Sequence, residues 1–556
     1  MRKKKVLWMG EATFLKTGYG VLGKEVLSRL HDTGKYEIAE MGSYGHPSAK
    51  EAQSIPWKYY GCMPEAPHLE SQYRADMTNQ WGKWRFEDIC LDFQPDVVCE
   101  MRDVWVFEWQ SRSPFRDKFH WAIMPTIDSA PQMESWNATY MNADSVCAYA
   151  EFGRDTMMEE TGGRINFCGI PSPAADYEIF KPVADKAAHK DAMGFDKDIK
   201  IVGTIMRNQK RKLFPDLIEA FKIFVEKLPK LAKNTYLYLH TYYPDIGWDI
   251  PRLIKESGIA HKILCTYICH TCDKVFPSFF HDAIQTCPKC GNPTARMSHH
   301  TKGASPKDLS AIINCFDVYV QYSCSEGFGL PQCEAAACAV PVMSVDCTAM
   351  SSVVRNLKGT PIKVKKMFRE AETHCFRAYP DNEDLAEKLG RFLAKPESLR
   401  YRAGRDTYLA CRSHYSWDKS AKIWEGVIDG ASPKLPWNAP PRILEPNLNI
   451  PPNLPTDDFV KWGIANIWGE PSQVNSYIAL RMTRDLNYGE SIIGYGGPYY
   501  AEDSLLSTKQ KFKTYKRQDA VEQLIELANT RNYWEKRRCG MIQEEVPTFI
   551  KIANGR

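Results

Sequence analysis

Apolar residues recur along this chain in two successive series of short runs, separated by stretches with helical spacing. The first series is VLWMG (6–10), YEIAEM (36–41), DVVCEM (96–101), WAIMPTI (121–127) and SVCAYA (145–150). The second is IKIVGTI (199–205), TYLYLH (235–240), KILCTY (262–267), VYVQYS (318–323) and PVMSV (341–345). Runs this short and this uniformly apolar suit strands buried on both faces, and their alternation with helical patterns predicts an α/β fold with parallel sheets. Two such series predict two doubly wound, Rossmann-like domains that face each other across a cleft, with ligand at the carboxyl ends of the strands. The expected division is 1–175 and 176–430, the boundary falling near 171–198. After YSWDKSAKIWEGVIDG (415–430), residues 431–456 are proline-rich, which enforces extended chain and predicts a strap. Residues 457–556 form a separate C-terminal extension.

The most informative stretch is SCSEGFGLPQCEAAACAVPVMSVDCTAMSSVVR (323–355). It reads as a strand end, a glycine turn (Gly327, Phe328, Gly329, Leu330) and a helix start. Free backbone N–H groups and the positive end of the helix dipole favour an anion there, and glycine lets a ligand approach the backbone closely. Glu326 and Glu334, on either side, are carboxylates able to accept hydrogen bonds from hydroxyls. Phosphate plus polyol points to a nucleotide sugar. A second loop follows IKIVGTI: Arg207, Asn208, Gln209, Lys210, Arg211 and Lys212, ahead of the amphipathic segment FPDLIEAFKIF. A cationic loop between a strand and a helix is a candidate anion contact, though such charge runs are usually solvated.

The pattern S-E-G-F-G-L-P-x-x-E-A-x-A-x-x-x-P-V resembles the signature of the GT-B, GT4-type retaining glycosyltransferases. The resemblance covers about residues 4–430. It implies that Glu326 contacts the donor sugar and that the N–H groups of residues 327–330 meet sugar and diphosphate. It implies also that Glu334 holds the ribose, that Arg207 and Lys212 face the diphosphate, and that residues 415–430 cross back to the first domain. The donor is then a UDP-, GDP- or ADP-type nucleotide sugar, with no catalytic metal. Lys210 and Arg211 read as solvated neighbours. Ala339 stands where the family usually has glycine, which reads as a packing change. His240 and Thr241 receive no chemical role.

In the first domain, Gly18, Gly20 and Gly23 make a formal G-x-G-x-x-G with Glu40 further on. Residues 11–17 separate the first glycine from the strand, which argues against a dinucleotide fingerprint. Gly18 and Gly20 loosely match the family's glycine loop over the donor phosphates. MPTIDSAP places Asp128 where many members carry a histidine, as a carboxylate that orients the sugar or the acceptor hydroxyl. Glu100 and Asp103 are further acceptor candidates.

Cysteine changes the picture locally. Cys269, Cys272, Cys287 and Cys290 form C-x2-C-x14-C-x2-C, the two-knuckle pattern of a closed structural Zn2+ site. A redox pair or an iron centre are the competing readings. The inserted zinc ribbon is expected over 264–298, as a unit that folds by itself around its metal. The other fourteen cysteines are scattered singly, which predicts reduced thiols and a cytoplasmic location.

Net charge is only +4 in 556 residues, too little to require a polyanionic partner, and no apolar run is long enough to span a bilayer. A local exception is Lys509, Lys511, Phe512, Lys513, Tyr515, Lys516 and Arg517, where cations interleave with aromatics as in single-strand binders. From 505 to 540 nine Lys/Arg face four Asp/Glu. The expected activity is therefore transfer of a sugar from a nucleotide-diphosphate donor to an acceptor hydroxyl, with two acceptor classes open. One is a hydroxylated DNA base; the other is a glycan, lipid or small molecule. The alternatives are a catalytically dead GT-B binding protein and an NAD-dependent oxidoreductase.

Overall fold

A computed structural model describes residues 2–299, 302–371, 373–432, 434–469 and 516–542, with 479, 482–483 and 485–487. The first sheet has seven parallel strands: β1 (Lys4–Glu11), β2 (Tyr36–Ser43), β3 (Lys58–Gly61), β4 (Val97–Glu100), β5 (His120–Ile123), β6 (Ser145–Cys147) and β7 (Phe167–Gly169). Their order is β3-β2-β1-β4-β5-β6-β7. The order reverses between β1 and β4, so a crevice opens at the carboxyl ends of those two strands.

The second sheet repeats the plan with β8 (Lys200–Ile205), β9 (Thr235–His240), β10 (Ile263–Cys269), β11 (Val275–Phe279), β12 (Ile284–Gln285), β13 (Ala295–Met297), β14 (Val318–Gln321), β15 (Val342–Val345) and β16 (Thr360–Ile362). Its order is β12-β13-β10-β9-β8-β14-β15-β16, with β11 also on β10. Here the reversal falls between β8 and β14, the strands that lead into residues 207–212 and 323–330. A hairpin, β17 (Val364–Arg369) and β18 (Phe376–Pro380), follows β16. The helices that cover the sheets are amphipathic. In Phe214–Lys227, Phe214, Leu217, Ile218, Phe221 and Phe224 are buried, at the spacing of one helical face.

All ten strands expected from the pattern are present. The edge strands β3, β7 and β16 were not expected; they are three or four residues long and carry too few positions for a period to register. The cysteine insert differs from expectation. It does not fold apart from the domain: β10 pairs in parallel with β9 over its first half and antiparallel with β13 over its second, while β11 runs antiparallel along Leu264–Ile268. The cysteine knuckles are thus continuous with the second sheet. Ala339 also differs: with φ +56° it sits in the left-handed region, so the departure from glycine is a backbone strain of about 1 kcal/mol and not a packing change.

Helix Trp417–Asp429 crosses to the first domain. Trp424 meets Trp8 edge-on at 5.0 Å, Tyr36 donates to Asp429, and Arg29 pairs with Asp418 at 2.6 Å. The proline-rich strap continues across the same domain. Trp437 donates to Pro95 O, and Lys434 pairs with Asp144. Helix Arg517–Arg538 then pairs Arg531 with Asp117 and Arg537 with Asp88. Pro95, Asp117 and Asp144 lie just before β4, β5 and β6. The strap and this helix therefore cover the amino ends of the strands, away from the crevice. Of the basic run in the extension, Lys509–Tyr515 lies outside the described residues, and Arg517 stacks on Phe459.

Candidate functional site

The two switch points face each other. On the second domain, the turn after β14 buries Glu326, only 5% exposed, among converging donors. Gln321 Nε2 (2.7 Å), Ser323 Oγ (3.0 Å) and Lys212 Nζ donate to Oε1, and Arg211 Nη1 (2.8 Å) donates to Oε2. A buried carboxylate needs such partners, because the desolvated charge is costly without them. Burial and the neighbouring Arg211 guanidinium depress the Lys212 pKa, with Cys324 and Asp128 opposing. The structure therefore brings Glu326 and Lys212 into direct contact. It corrects the reading of Arg211, which is not a solvated neighbour: its guanidinium also donates to Ser325 O at 3.0 Å. Lys210 is exposed.

Gly327, Phe328 and Gly329 pass from Glu326 to the helix Leu330–Ala337, and Gly329 caps it with φ +85°. Among the described residues, no protein acceptor is bonded to the N–H groups of residues 327–330. Phe328 is buried edge-on against Tyr415 at 5.3 Å and shapes the turn from behind. Gly327 packs closely against the first domain; a Cβ there would lie 2.3 Å from Thr126 Cγ2. Glu334 sits in the helix, and burial raises its pKa to about 7.

Arg207 stands off from this cluster. It pairs with Asp245 at 3.0 Å and remains half-exposed, and that hydrogen bond raises its pKa. The loop itself is laced down, since Asn208 and Trp248 exchange two bonds of 2.7 Å and Trp248 Nε1 donates to Lys212 O. Opposite, β1 ends in Glu11, whose buried Oε2 has no protein partner among the described residues. Burial raises the Glu11 pKa, countered by a hydrogen bond with Thr17, by Arg102 and by Arg207 of the second domain.

Gly18 and Gly20 open the helix Gly18–Asp32, with Thr17 as its N-cap. Gly20 is required there, because a Cβ would lie 2.6 Å from Leu15 O. Glu40 accepts from Thr13 N, Thr13 Oγ1 and Trp57 Nε1, all at 2.8 Å, and so pins the preceding loop; burial raises its pKa to about 6. No cofactor role for Glu40 is needed. Glu100 is likewise structural, buried and held by Arg102 and Gln110.

Asp128 and Asp103 meet at the cleft floor. Tyr19 OH contacts Asp103 (3.3 Å) and Thr126 Oγ1 (2.8 Å). Burial and the Asp128 carboxylate raise the Asp103 pKa to about 6, with Arg211 opposing. Asp128 accepts from Ser325 Oγ (3.3 Å) and pairs with Arg377 at 2.8 Å. Arg377, from β18, also pairs with Glu370 at 3.0 Å. Sequence reasoning missed Arg377 and Tyr19. Each is a single polar residue in an otherwise ordinary element, and only the fold brings it to the cleft.

The four cysteines converge. All four sulfurs lie within 4.8 Å of one another, with Cys269–Cys290 at 3.6 Å and Cys272–Cys287 at 3.7 Å. A tetrahedron of thiolates at about 2.3 Å from zinc has edges of about 3.8 Å, so the set fits a metal and is too wide for disulfides. Thr271 N and Lys289 N point at the sulfurs of Cys269 and Cys287, and each knuckle ends in a left-handed residue, Asp273 or Gly291. His240 is a buried structural histidine bonded to Thr266.

Residues 294–407 match the family model described as "Glycosyl transferases group 1". A curated relative, D-inositol 3-phosphate glycosyltransferase of Streptomyces bingchenggensis, is 22% identical over 279 residues. That is 50% of this chain and 51% of the relative, so the chain spans about half the length of the relative it matches. Solved structures agree over the two-sheet body. A sucrose-phosphate synthase of Thermosynechococcus elongatus aligns at TM-score 0.54 and 16% identity, over 77% of this chain and 98% of the other. Alr3699/HepE of Anabaena, in complex with UDP and glucose, aligns at TM-score 0.53 and 12% identity, over 77% and 99%. The fold is that of the GT-B glycosyltransferases. The family match lies within the second of the two sheet domains. No helix among the described residues is long and apolar enough to cross a membrane.

Proposed function

We propose that the protein is a retaining, GT4-type glycosyltransferase that moves a sugar from a nucleoside-diphosphate donor to an acceptor hydroxyl. The observation that carries this reading is the placement of Lys212 and Arg211 on Glu326, beside the unbonded N–H groups of residues 327–330. That array is a fixed cradle for a diphosphate whose negative charge grows as it leaves. Arg207, at the same rim, is a further phosphate contact, and Glu334 is placed to accept from ribose hydroxyls. Glu326 does more than the family resemblance implied: it orients both cations, and its Oε2, with one donor, has room for a sugar hydroxyl.

In the transfer, the anomeric carbon–oxygen bond to the diphosphate breaks, and a new bond forms to the acceptor oxygen on the same face. The acceptor proton passes to the departing phosphate. Asp128 and Asp103 orient the acceptor hydroxyl. Gly18 and Gly20 keep the first domain's helix N-terminus clear for the donor phosphates. The four cysteines hold a structural Zn2+ that ties β10 to β13. All eighteen cysteines are unpaired, which suits a reducing compartment such as the cytoplasm. The test is a panel of UDP-, GDP- and ADP-sugars. One member should raise the melting temperature and release its nucleoside diphosphate slowly in water and faster with an acceptor. No stabilisation by any member would overturn the reading.

A further inference from the structure

Hairpin β17–β18 leaves part of its surface uncovered by either domain, while Ala378 is buried in the second domain's core. Phe368, Arg377 and Tyr379 turn inward; Phe368 and Tyr379 stack at 4.6 Å. Lys365, Met367 (46% exposed), Arg369 and Phe376 (37% exposed) are left in the open, and so is Lys366, on the Tyr379 side of the hairpin. The Arg369 guanidinium lies over the Phe376 ring at 4.5 Å, and Lys366 Nζ lies 5.1 Å from the Tyr379 ring. Among the described residues, no carboxylate pairs with Lys365, Lys366 or Arg369; Glu370 is occupied by Arg377 and Thr373. This exposed face adjoins the reacting centre. Phe376 N donates to Ala130 O at 2.8 Å, two residues from Asp128.

We propose that this hairpin is the docking surface for a nucleic-acid strand whose hydroxyl-bearing base enters the cleft as acceptor. The proposal rests on the glycosyl-transfer reading of the site. Its basis is a separation of charge. The cleft floor holds two neighbouring carboxylates, Asp103 and Asp128, which repel phosphate and welcome a neutral hydroxyl. The rim, by contrast, carries cations without acidic partners, next to an aromatic face. An acceptor that fits both must be a polyanion with a neutral, flat, hydroxylated part. In a nucleic acid, phosphates neutralise Lys365, Lys366 and Arg369, a base stacks on Phe376, and an adjacent base reaches inward. A base in a duplex would have to leave its stack to do so.

The experiment is fluorescence anisotropy of the full-length protein with a labelled 20-nucleotide oligo-dT strand and an RNA strand of equal length, between 50 and 200 mM salt. Affinity should fall linearly with salt on logarithmic axes. The triple variant Lys365→Ala/Lys366→Ala/Arg369→Ala should lose about 2 from that slope, and about tenfold in affinity at 100 mM salt. Phe376→Ala should weaken binding about tenfold and leave the slope unchanged. Both variants should keep the donor-induced thermal shift; if the triple variant does not, Lys365→Ala and Arg369→Ala are measured singly, each expected to lose about 0.7 from the slope. The DNA and RNA arms distinguish which polymer is bound. No binding of either strand at 50 mM salt, equal binding by the variants, or displacement of the strand by phosphatidylserine vesicles would overturn the proposal. Donor turnover without strand binding sinks this proposal alone, whereas absence of any donor effect sinks the glycosyl-transfer reading.

Discussion

Arg377 and Asp128 form an ion pair of 2.8 Å across the boundary between the two domains, next to the residue that precedes Glu326. Burial opposes charge on Arg377, yet Asp128 and Glu370 hold its pKa above the ordinary value. The pair therefore fixes both the closure of the cleft and the position of the Asp128 carboxylate. Arg377→Ala should lower kcat/KM about tenfold to hundredfold, and Arg377→Lys should restore part of it. A double-mutant cycle with Asp128→Asn should give a coupling of about 1–2 kcal/mol. Additive losses would show that the two side chains act separately.

Gly327 also packs against the first domain. A Cβ there would lie 2.3 Å from Thr126 Cγ2, and the rest of the threonine is farther away. Gly327→Ala should wedge the cleft open and cost at least about tenfold in kcat/KM, with donor binding less affected. Thr126→Ser removes the offending methyl and keeps the hydroxyl that bonds Tyr19. The double variant should recover most of the loss. If steady-state kinetics show no recovery, the close approach is not the cause.

Much of this site was legible in the sequence, and the exceptions have physical reasons. The Glu326–Glu334 segment combines glycine, proline and carboxylates at fixed offsets, so its turn and helix start are dictated locally. Lys212 could be read from its place between a strand and an amphipathic helix. Arg211 could not, because its neighbour in the loop, Lys210, has the same sign and the same local setting; only the turn of the loop sends one inward. Arg377, Tyr19 and the meeting of Asp103 with Asp128 depend on how two domains pack, which no local period encodes. The insert was misread as independent because β10 is a single strand serving both the domain and the knuckles. The signal was there: the apolar run KILCTYIC continues without a break into Cys269.

Glu334 gives a pH signature. Its pKa is raised by burial to about 7 from an ordinary value near 4.5. The unfolded chain then loses this proton at lower pH than the folded one, so stability falls as pH rises from about 4.5 to about 7 and levels off above. Glu334→Gln should be at least as stable as the wild type at pH 8, with the difference vanishing near pH 4.5. It should also bind the donor about tenfold more weakly at pH 8, through loss of the ribose acceptor. Melting curves and donor titrations at the two pH values test both halves; a stability difference that does not change with pH would contradict the assignment.

The cysteine cluster should carry one zinc per chain in protein produced with zinc in the medium, measured by elemental analysis. Cys287→Ser should abolish it. Because Tyr243 N donates to Ser298 O at 2.9 Å, just past β13, loss of metal should loosen loop 241–248 and the Asp245 that holds Arg207. A chelator should therefore lower the melting temperature and weaken donor binding. Protein free of zinc with an unchanged melting temperature would rule out the structural role.

The central claim is that Lys212, oriented by Glu326, stabilises a departing nucleoside diphosphate. The most direct measurement is the rate of nucleoside-diphosphate release from the stabilising donor, at saturation, by wild type and Lys212→Met. The wild type should turn over clearly, and kcat should fall about 100-fold to 1000-fold in the variant, with KM changed far less. A wild-type protein that binds donor but never releases diphosphate, or a variant that turns over at the wild-type rate, would contradict it.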